Sequence, residues 1–491
     1  MSPVDLAVIL AYFILTLGVG LWVTRSQRTA GDYFLGARNL PAWSVLLSIV
    51  ATETSALTVI SIPGVGARGD LTFLQLPFGY LVGRIVVARW LLPGYFTGEQ
   101  ETAYARLEKR FGPGTRRLLS ACFLVTRFLG DSVRVFAGAI PLALVTGWSV
   151  PGAILAMGGI TLVYTYLGGL KAVVWADVIQ LCVYVAGGLG ALAIAAGLAG
   201  GFGPMLTLAG NAGKLRIINP AFSFTQTYTL LGGLLGGALL SAASHGTDQL
   251  IVQRLLATRS LHDARRALIG SGIVVTLQFL LFLMVGIAIW AAGLAPASIP
   301  GDQIFPRFII QHLPAGLAGL VIAGILAAAM STHSSAINAM ASSLTHDFYV
   351  ALSGQRDPAH LLRVGRLFSA LWGVALVAGA LGFYAYSSGT DTPVVVLALS
   401  IASVTYGALL GTYILAGRWP DARSRDVVAG TIVTVVVMLG VVFAGRLAPL
   451  PGLGWLAPAA RLAWPWYVPL GTLLTLAVGM TTSALPATAR A

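Results

Sequence analysis

Apolar runs of 18 to 28 residues follow one another along the chain, joined by short polar connections. A helix of that length crosses about 30 Å of hydrocarbon. Composition says what surrounds those helices. Of 491 residues, 57% are hydrophobic and only 10% charged, against about 25% charged in soluble domains. A chain so poor in charge faces lipid over most of its surface. Length alone would suggest about three soluble domains, a reading that the recurring runs override. The first run, Leu6 to Val23, has no basic region before it and no small-residue cleavage site after it. It is therefore expected to be a span and not a signal peptide.

The runs predict 13 spans, at 5–24, 41–66, 73–96, 117–146, 150–168, 174–200, 227–250, 267–293, 314–345, 365–386, 391–416, 428–446 and 464–484. The net charge of +13 could suggest nucleic acid, but the basic residues sit in loops between spans and not on one exposed face. Their bias sets the orientation. With the N-terminus outside, 20 of the 30 Lys and Arg fall in cytoplasmic connections, Arg25, Arg254 and Arg490 among them, and six fall on the other side. Four more, Arg84, Arg89, Arg127 and Arg134, fall inside spans. Cys122 and Cys182 lie in apolar runs and form neither a disulfide framework nor a metal-ligand pattern.

Two spans read as interrupted. The second carries Pro63, Gly64 and Gly66 in or near its outer half, and the seventh carries glycine pairs at 232–233 and 236–237. Glycine and proline at membrane depth mark broken helices lining cavities, and matched breaks in two halves point to a transporter site. Glycine-rich helices also simply pack closely, so both readings stand. The halves would be spans 2–6 and 7–11, approximately 41–200 and 227–416. The chain has no phosphate-binding loop of the Walker type, no GxSxG and no HExxH, so nothing supports ATP-driven pumping or hydrolytic catalysis.

An ionisable residue inside a span is a functional candidate by default. In span 9, Ser331, Ser334, Ser335 and Asn338 share one helical face, with Ala328 one turn earlier. Such a hydroxyl stripe suits a hard cation. Membrane serines also bond the preceding carbonyl, so the stripe alone decides nothing. Asp177 sits near the cytoplasmic end of span 6, as an ion ligand or as an interfacial partner of Lys171. Glu53 lies in the inner half of span 2 and needs a cation, a basic partner or a proton. Arg127, Asp131 and Arg134 share a face of span 4. If Arg127 and Asp131 neutralise each other, Arg134 is left to grip a substrate carboxylate, and a structural ion-pair network is the other reading.

These stretches resemble one family. GGLKAVVWADVIQ (168–180), HGTDQLIVQRLL (245–256), AAAMSTHSSAINAMASSLTHDFY (327–349) and SIVATETSALTVISIPG (48–64) are similar, in order, to motifs of the sodium:solute symporters. The resemblance implies an all-α LeuT-type fold: a five-plus-five inverted repeat with one helix before it and two after (5–24, 428–446 and 464–484). It implies a sodium site at Ala51, Thr54, Ala328, Ser331 and Thr332. It also implies a second sodium, held in some members by residues matching Asp177, Ser331, Ser334 and Ser335, which admits two ions per cycle. Ala176 stands where the family usually has Thr. Glu53 matches an essential Asp of the proline symporters, where sugar transporters have Asn. Ser55, Thr58, Gln75 and Arg134 join it as candidate substrate contacts.

The expected function is sodium-coupled import of a small carboxylate or zwitterion across a bacterial inner membrane, with the C-terminus cytoplasmic and no obligate protein partner. Proton coupling through Glu53 or Asp177 in the same fold is the alternative.

Overall fold

The computed structural model describes residues 2–23, 27–98, 100–387 and 394–485. Residue 24 of the first expected span, residues 391–393 of the eleventh, and Arg25 and Arg490 of the charge count lie outside them.

The described residues are helical almost throughout. The chain opens with α1 (Pro3–Val23) and the short α2 (Ala30–Leu35), then α3 (Ala42–Glu53) and α4 (Ala56–Arg68). A 3₁₀ turn at Leu71–Leu74 leads into α5 (Gln75–Val86), a π-helical stretch at Val87–Leu91 and α6 (Leu92–Tyr95). Next come α7 (Ala105–Thr146), α8 (Val150–Leu198) and α9 (Phe202–Asn211). A π-helical stretch at Gly232–Gly236 runs into α10 (Gly237–Gly246), and α11 (Gln249–Leu256), α12 (Leu261–Ala291) and α13 (Gly301–His312) follow. The rest is α14 (Leu317–Ser343), a π-helical stretch at Leu344–Tyr349, α15 (Val350–Ser353), α16 (Pro358–Ser387), α17 (Val394–Arg418), α18 (Ser424–Val442), α19 (Ala444–Leu447) and α20 (Tyr467–Ala484).

Among the described residues eight helices are long and apolar enough to cross a membrane, and the bent pair α3–α4 makes a ninth. One of the eight is α8, whose 49 residues would stretch about 74 Å if straight, at 1.5 Å per residue. Gly169 interrupts it with φ +52°, a conformation that only glycine adopts freely. A side chain there would also run into the Tyr33 carbonyl. The expected spans 150–168 and 174–200 fall on either side.

Both predicted interruptions exist, but glycine and proline do not make them. The second span breaks at Thr54 and Ser55, where α3 and α4 diverge by 68°, and Pro63 lies inside α4. Ser55 caps α4 by accepting from the Thr58 N–H. The seventh span breaks at Thr247 and Asp248, between α10 and α11. The glycines serve packing instead. A Cβ at Gly66 would collide with the Leu283 carbonyl, one at Gly286 with that of Pro63, and one at Gly64 with Gly301, so α4 meets α12 and α13 backbone to backbone. Gly233 and Gly237 bring the seventh span equally close to Gln75 and Leu76.

At the centre lies α14. Every residue from Val321 to Ser343 is buried, the pattern of a helix enclosed by others on all sides. Its N-terminal end is tied to α1, since the Asp5 carboxylate accepts from the backbone N–H groups of Gly316 and Gly319, each at 2.8 Å.

Candidate ion and solute sites

The break in the second span exposes main-chain oxygens. The last carbonyls of any helix lack intrahelical partners, and α3 ends at Glu53, against the hydroxyl-bearing stretch of α14. Ala51, Thr54, Ala328, Ser331 and Thr332 are all buried, none more than 2% exposed. The Thr332 hydroxyl donates to the Ala328 carbonyl at 3.1 Å, so two of the five oxygens lie together. Thr54 is fixed by Gln278 of α12. The Gln278 amide donates to the Thr54 hydroxyl at 2.7 Å, and its carbonyl oxygen faces the same hydroxyl at 3.0 Å and accepts from Tyr184 at 3.2 Å. Unwound backbone and half-helix C-terminal ends are the sodium-coordinating elements of such transporters, and this donor set fits a hard cation.

One turn away is a second, fully buried cluster around Asp177. Its carboxylate accepts from Ser331 at 2.6 Å, from Ser48 at 2.5 Å and from Thr52 at 3.4 Å. Its charge is met by Arg254 at 3.2 Å. The Arg254 guanidinium also donates to Ser48 at 2.9 Å, to the Leu250 carbonyl at 2.7 Å and to Ser335. Ser334 turns away and donates to the Ser331 carbonyl of its own helix at 3.1 Å. Asp177 is therefore no interfacial partner of Lys171. Arg254, counted in the sequence as a cytoplasmic loop charge, has 1% of its side chain exposed. The break at Thr247 and Asp248 starts a new half-helix, α11, which carries this arginine inward.

A cavity of about 160 Å³ opens beside the first cluster. Its walls are Thr52 and Glu53 of α3, Tyr80 of α5, Arg127 and Arg134 of α7, Leu240, Ser241, Ser244 and His245 of α10, Leu250 and Ile251 of α11, Ala402, Ser403 and Tyr406 of α17, and Trp464, Pro465 and Val468 leading into α20. Glu53 has the basic partner it needs, in Arg84 of α5, whose other nitrogen donates to Ser271 at 2.6 Å. Arg127 pairs chiefly with Asp248, at 2.5 Å, and donates to Tyr406 at 2.9 Å, while Asp131 lies 3.6 Å from it. Asp131 instead holds Arg134 at 2.9 Å, so Arg134 is not a surplus charge. Two aspartates balance two arginines, and Glu53 balances Arg84.

Of the five sequence-predicted substrate residues, Glu53 and Arg134 line the cavity. Ser55 is the α4 cap, its hydroxyl 3.3 Å from that of Thr58. Gln75 stitches the preceding loop to α5, donating to the Thr72 carbonyl at 2.9 Å and accepting from the Asn219 N–H at 3.0 Å. Arg84, Asp248, His245, Gln278 and Arg254 were missed. Arg84 was visible as a charge inside a span, and Asp248, His245 and Arg254 lie in the motif at the end of the seventh span.

The arrangement can be compared with known proteins. The model of the sodium:solute symporter family matches residues 33–434. The chain belongs to the sodium:solute symporter family. It is 30% identical to the human sodium/iodide cotransporter over 91% of its length and 70% of that protein's. It is 27% identical to the sodium/sialic acid symporter NanT of Aliivibrio fischeri, over 97% and 92% of the two chains. A solved substrate-bound, outward-open Na⁺-coupled sialic acid symporter superposes with a TM-score of 0.86 at 25% identity, covering 99% of this chain and 98% of that one. The nucleobase-cation-symport-1 family transporter Mhp1 shares the fold, with a TM-score of 0.56 at 15% identity over 94% and 95% of the chains. The chain is thus a multi-pass membrane transporter of LeuT type and not an enzyme, and its family couples solute movement to sodium.

Proposed function

We propose that the chain imports a small carboxylate-bearing solute, and among carboxylates a zwitterion, together with sodium bound at Ala51, Thr54, Ala328, Ser331 and Thr332. The solute part rests on one observation, the charge balance of the cavity. Arg134 and Glu53 stand on different walls of it, and each already has an opposite charge beside it. A zwitterion brings both signs and leaves the balance unchanged, whereas a bare anion would be desolvated with no spare cation except the sodium itself. The size is also small, since an engineered cavity of about 150 Å³ takes benzene.

Thirteen crossings with the N-terminus outside a bacterial inner membrane, and repeats at 41–200 and 227–416, complete the reading. They rest on the loop-charge bias and on the two broken spans. Inward sodium flow then supplies about 2.3 kcal/mol per charge per 100 mV.

The test is a thermal-shift screen of the purified chain with amino acids, simple carboxylates and sugars, in sodium and in choline. A zwitterion that raises the melting temperature only in sodium supports the reading. Stabilisation by a neutral sugar alone overturns the solute class. Uptake into proteoliposomes driven by a pH gradient without sodium replaces sodium with the proton.

A further inference from the structure

Two predicted ligands of a second sodium, Asp177 and Ser335, are held by a guanidinium. Arg254 lies 3.2 Å from the Asp177 carboxylate, donates to Ser335, and reaches Ser48, itself 2.5 Å from Asp177. All four residues are fully buried. A buried carboxylate requires one compensating cation, not two. Sodium beside Asp177 with Arg254 in place would set two positive charges around one negative charge in a space closed to water.

We infer that Arg254 is a tethered cation that occupies the second sodium's place, so that Arg254 and sodium are alternative partners of Asp177. The arginine belongs to α11, the half-helix after the break at Thr247 and Asp248, and its partners belong to α3, α8 and α14. Exchange of arginine for sodium therefore accompanies a displacement of α11 from those three helices. The connections that must yield are all nearby. Gln253 donates to the Phe34 carbonyl at 2.7 Å and to Asn338 at 2.8 Å, and the Leu40 N–H donates to the Ala257 carbonyl at 3.0 Å. Arg254 thereby sets how tightly the second ion is held.

The inference rests on sodium being the coupled ion, and the experiment separates the two claims. Binding of ²²Na⁺ to the purified full-length protein is measured for wild type, Arg254→Met and the double variant Asp177→Asn/Arg254→Met. Arg254→Met is expected to bind an ion at least about tenfold more tightly than wild type does, and the double variant to lose that gain. Melting temperature in sodium against choline should become more sodium-dependent in Arg254→Met and revert in the double variant. An Arg254→Met isotherm that superimposes on wild type, or is weaker, overturns the inference. Absence of ²²Na⁺ binding in wild type overturns the sodium reading itself. If Arg254→Met does not reach the membrane, Arg254→Lys, which keeps the charge but loses the fork, should tighten sodium by about threefold, and no change there overturns the inference.

Discussion

Thr52 and Glu53 are neighbours on α3 and both reach the cavity wall, yet their side chains join different clusters. The Thr52 hydroxyl meets Asp177 and, at 3.2 Å, Ser335, in the fully buried cluster that Arg254 neutralises. Glu53 turns to Arg84 and keeps 19% of its side chain exposed on the cavity. Both clusters are charge-balanced, but of the two ion pairs only Glu53–Arg84 has a member exposed on the cavity. A dry pair is held by geometry alone, and losing one member strands the other. A pair beside a cavity can exchange partners with water or with a solute. The first suits an element that holds helices in register, and the second suits recognition.

The largest expected effect breaks the dry side. Asp177→Asn leaves Arg254 buried without its countercharge, which costs about 3 to 5 kcal/mol. Urea or thermal unfolding in detergent should show it, and Asp177→Leu/Arg254→Met should recover much of the loss. Full stability in the single variant would mean that water reaches the cluster after all. Next come Ser331→Ala and Thr332→Ala. Each should weaken ²²Na⁺ binding by at least about tenfold, since a lost ligand strength of 1.4 kcal/mol already gives that factor, while the protein stays in the membrane. Unaltered binding in both would move the ion elsewhere.

On the wet side, Arg134→Gln should change stability by no more than about 1 kcal/mol, because 23% of its side chain is exposed and solvent screens the pair. It should nevertheless weaken the solute found in the thermal-shift screen by about tenfold or more, as for a lost charged contact. A stability loss as large as that of Asp177→Asn would erase the contrast between the clusters. The smallest effect lies outside both, at Asp70 in the connection after α4. Burial pushes its carboxyl up, but the Thr72 hydroxyl and N–H and the Arg216 guanidinium outweigh this and hold it below the usual aspartate value. Its stabilisation is therefore present above the ordinary aspartate value of about 4 and fades as pH falls through the lowered one. Asp70→Asn should flatten the melting temperature between pH 5 and pH 3, by less than about 1 kcal/mol.

The membrane fold was legible because length and apolarity are local properties. Among the described residues eight helices and one bent pair are long and apolar enough to cross a membrane, two of the expected spans falling on the halves of α8. Where spans break was not. Thr54, Ser55, Thr247 and Asp248 carry no strong helix-breaking signal, whereas Pro63 and the glycine pairs do carry one and turn out to be contact surfaces. The hydroxyl stripe of α14 was legible by its helical spacing. Pairing was not, since it depends on which helices meet. Arg127 and Asp131 suggested a pair by spacing and do lie 3.6 Å apart, but the closer partner of Arg127 is Asp248, 121 residues away. Arg254 looked like a loop charge because nothing in its neighbourhood announces the break that turns α11 inward.

The backbone contact of α4 with α12 and α13 has a consequence for how the molecule can flex. Surfaces packed this closely, peptide against peptide, have low compressibility and transmit strain from one helix to the next. The segment after the break thus has no coordinate of its own and rides with its two neighbours as one lever. The three peptide bonds between Glu53 and Ala56 are then the pivot. Because the Thr54 carbonyl belongs to that pivot and Ala51 lies in the last turn of α3 before it, an ion bound there would act as the pin that stops the lever turning.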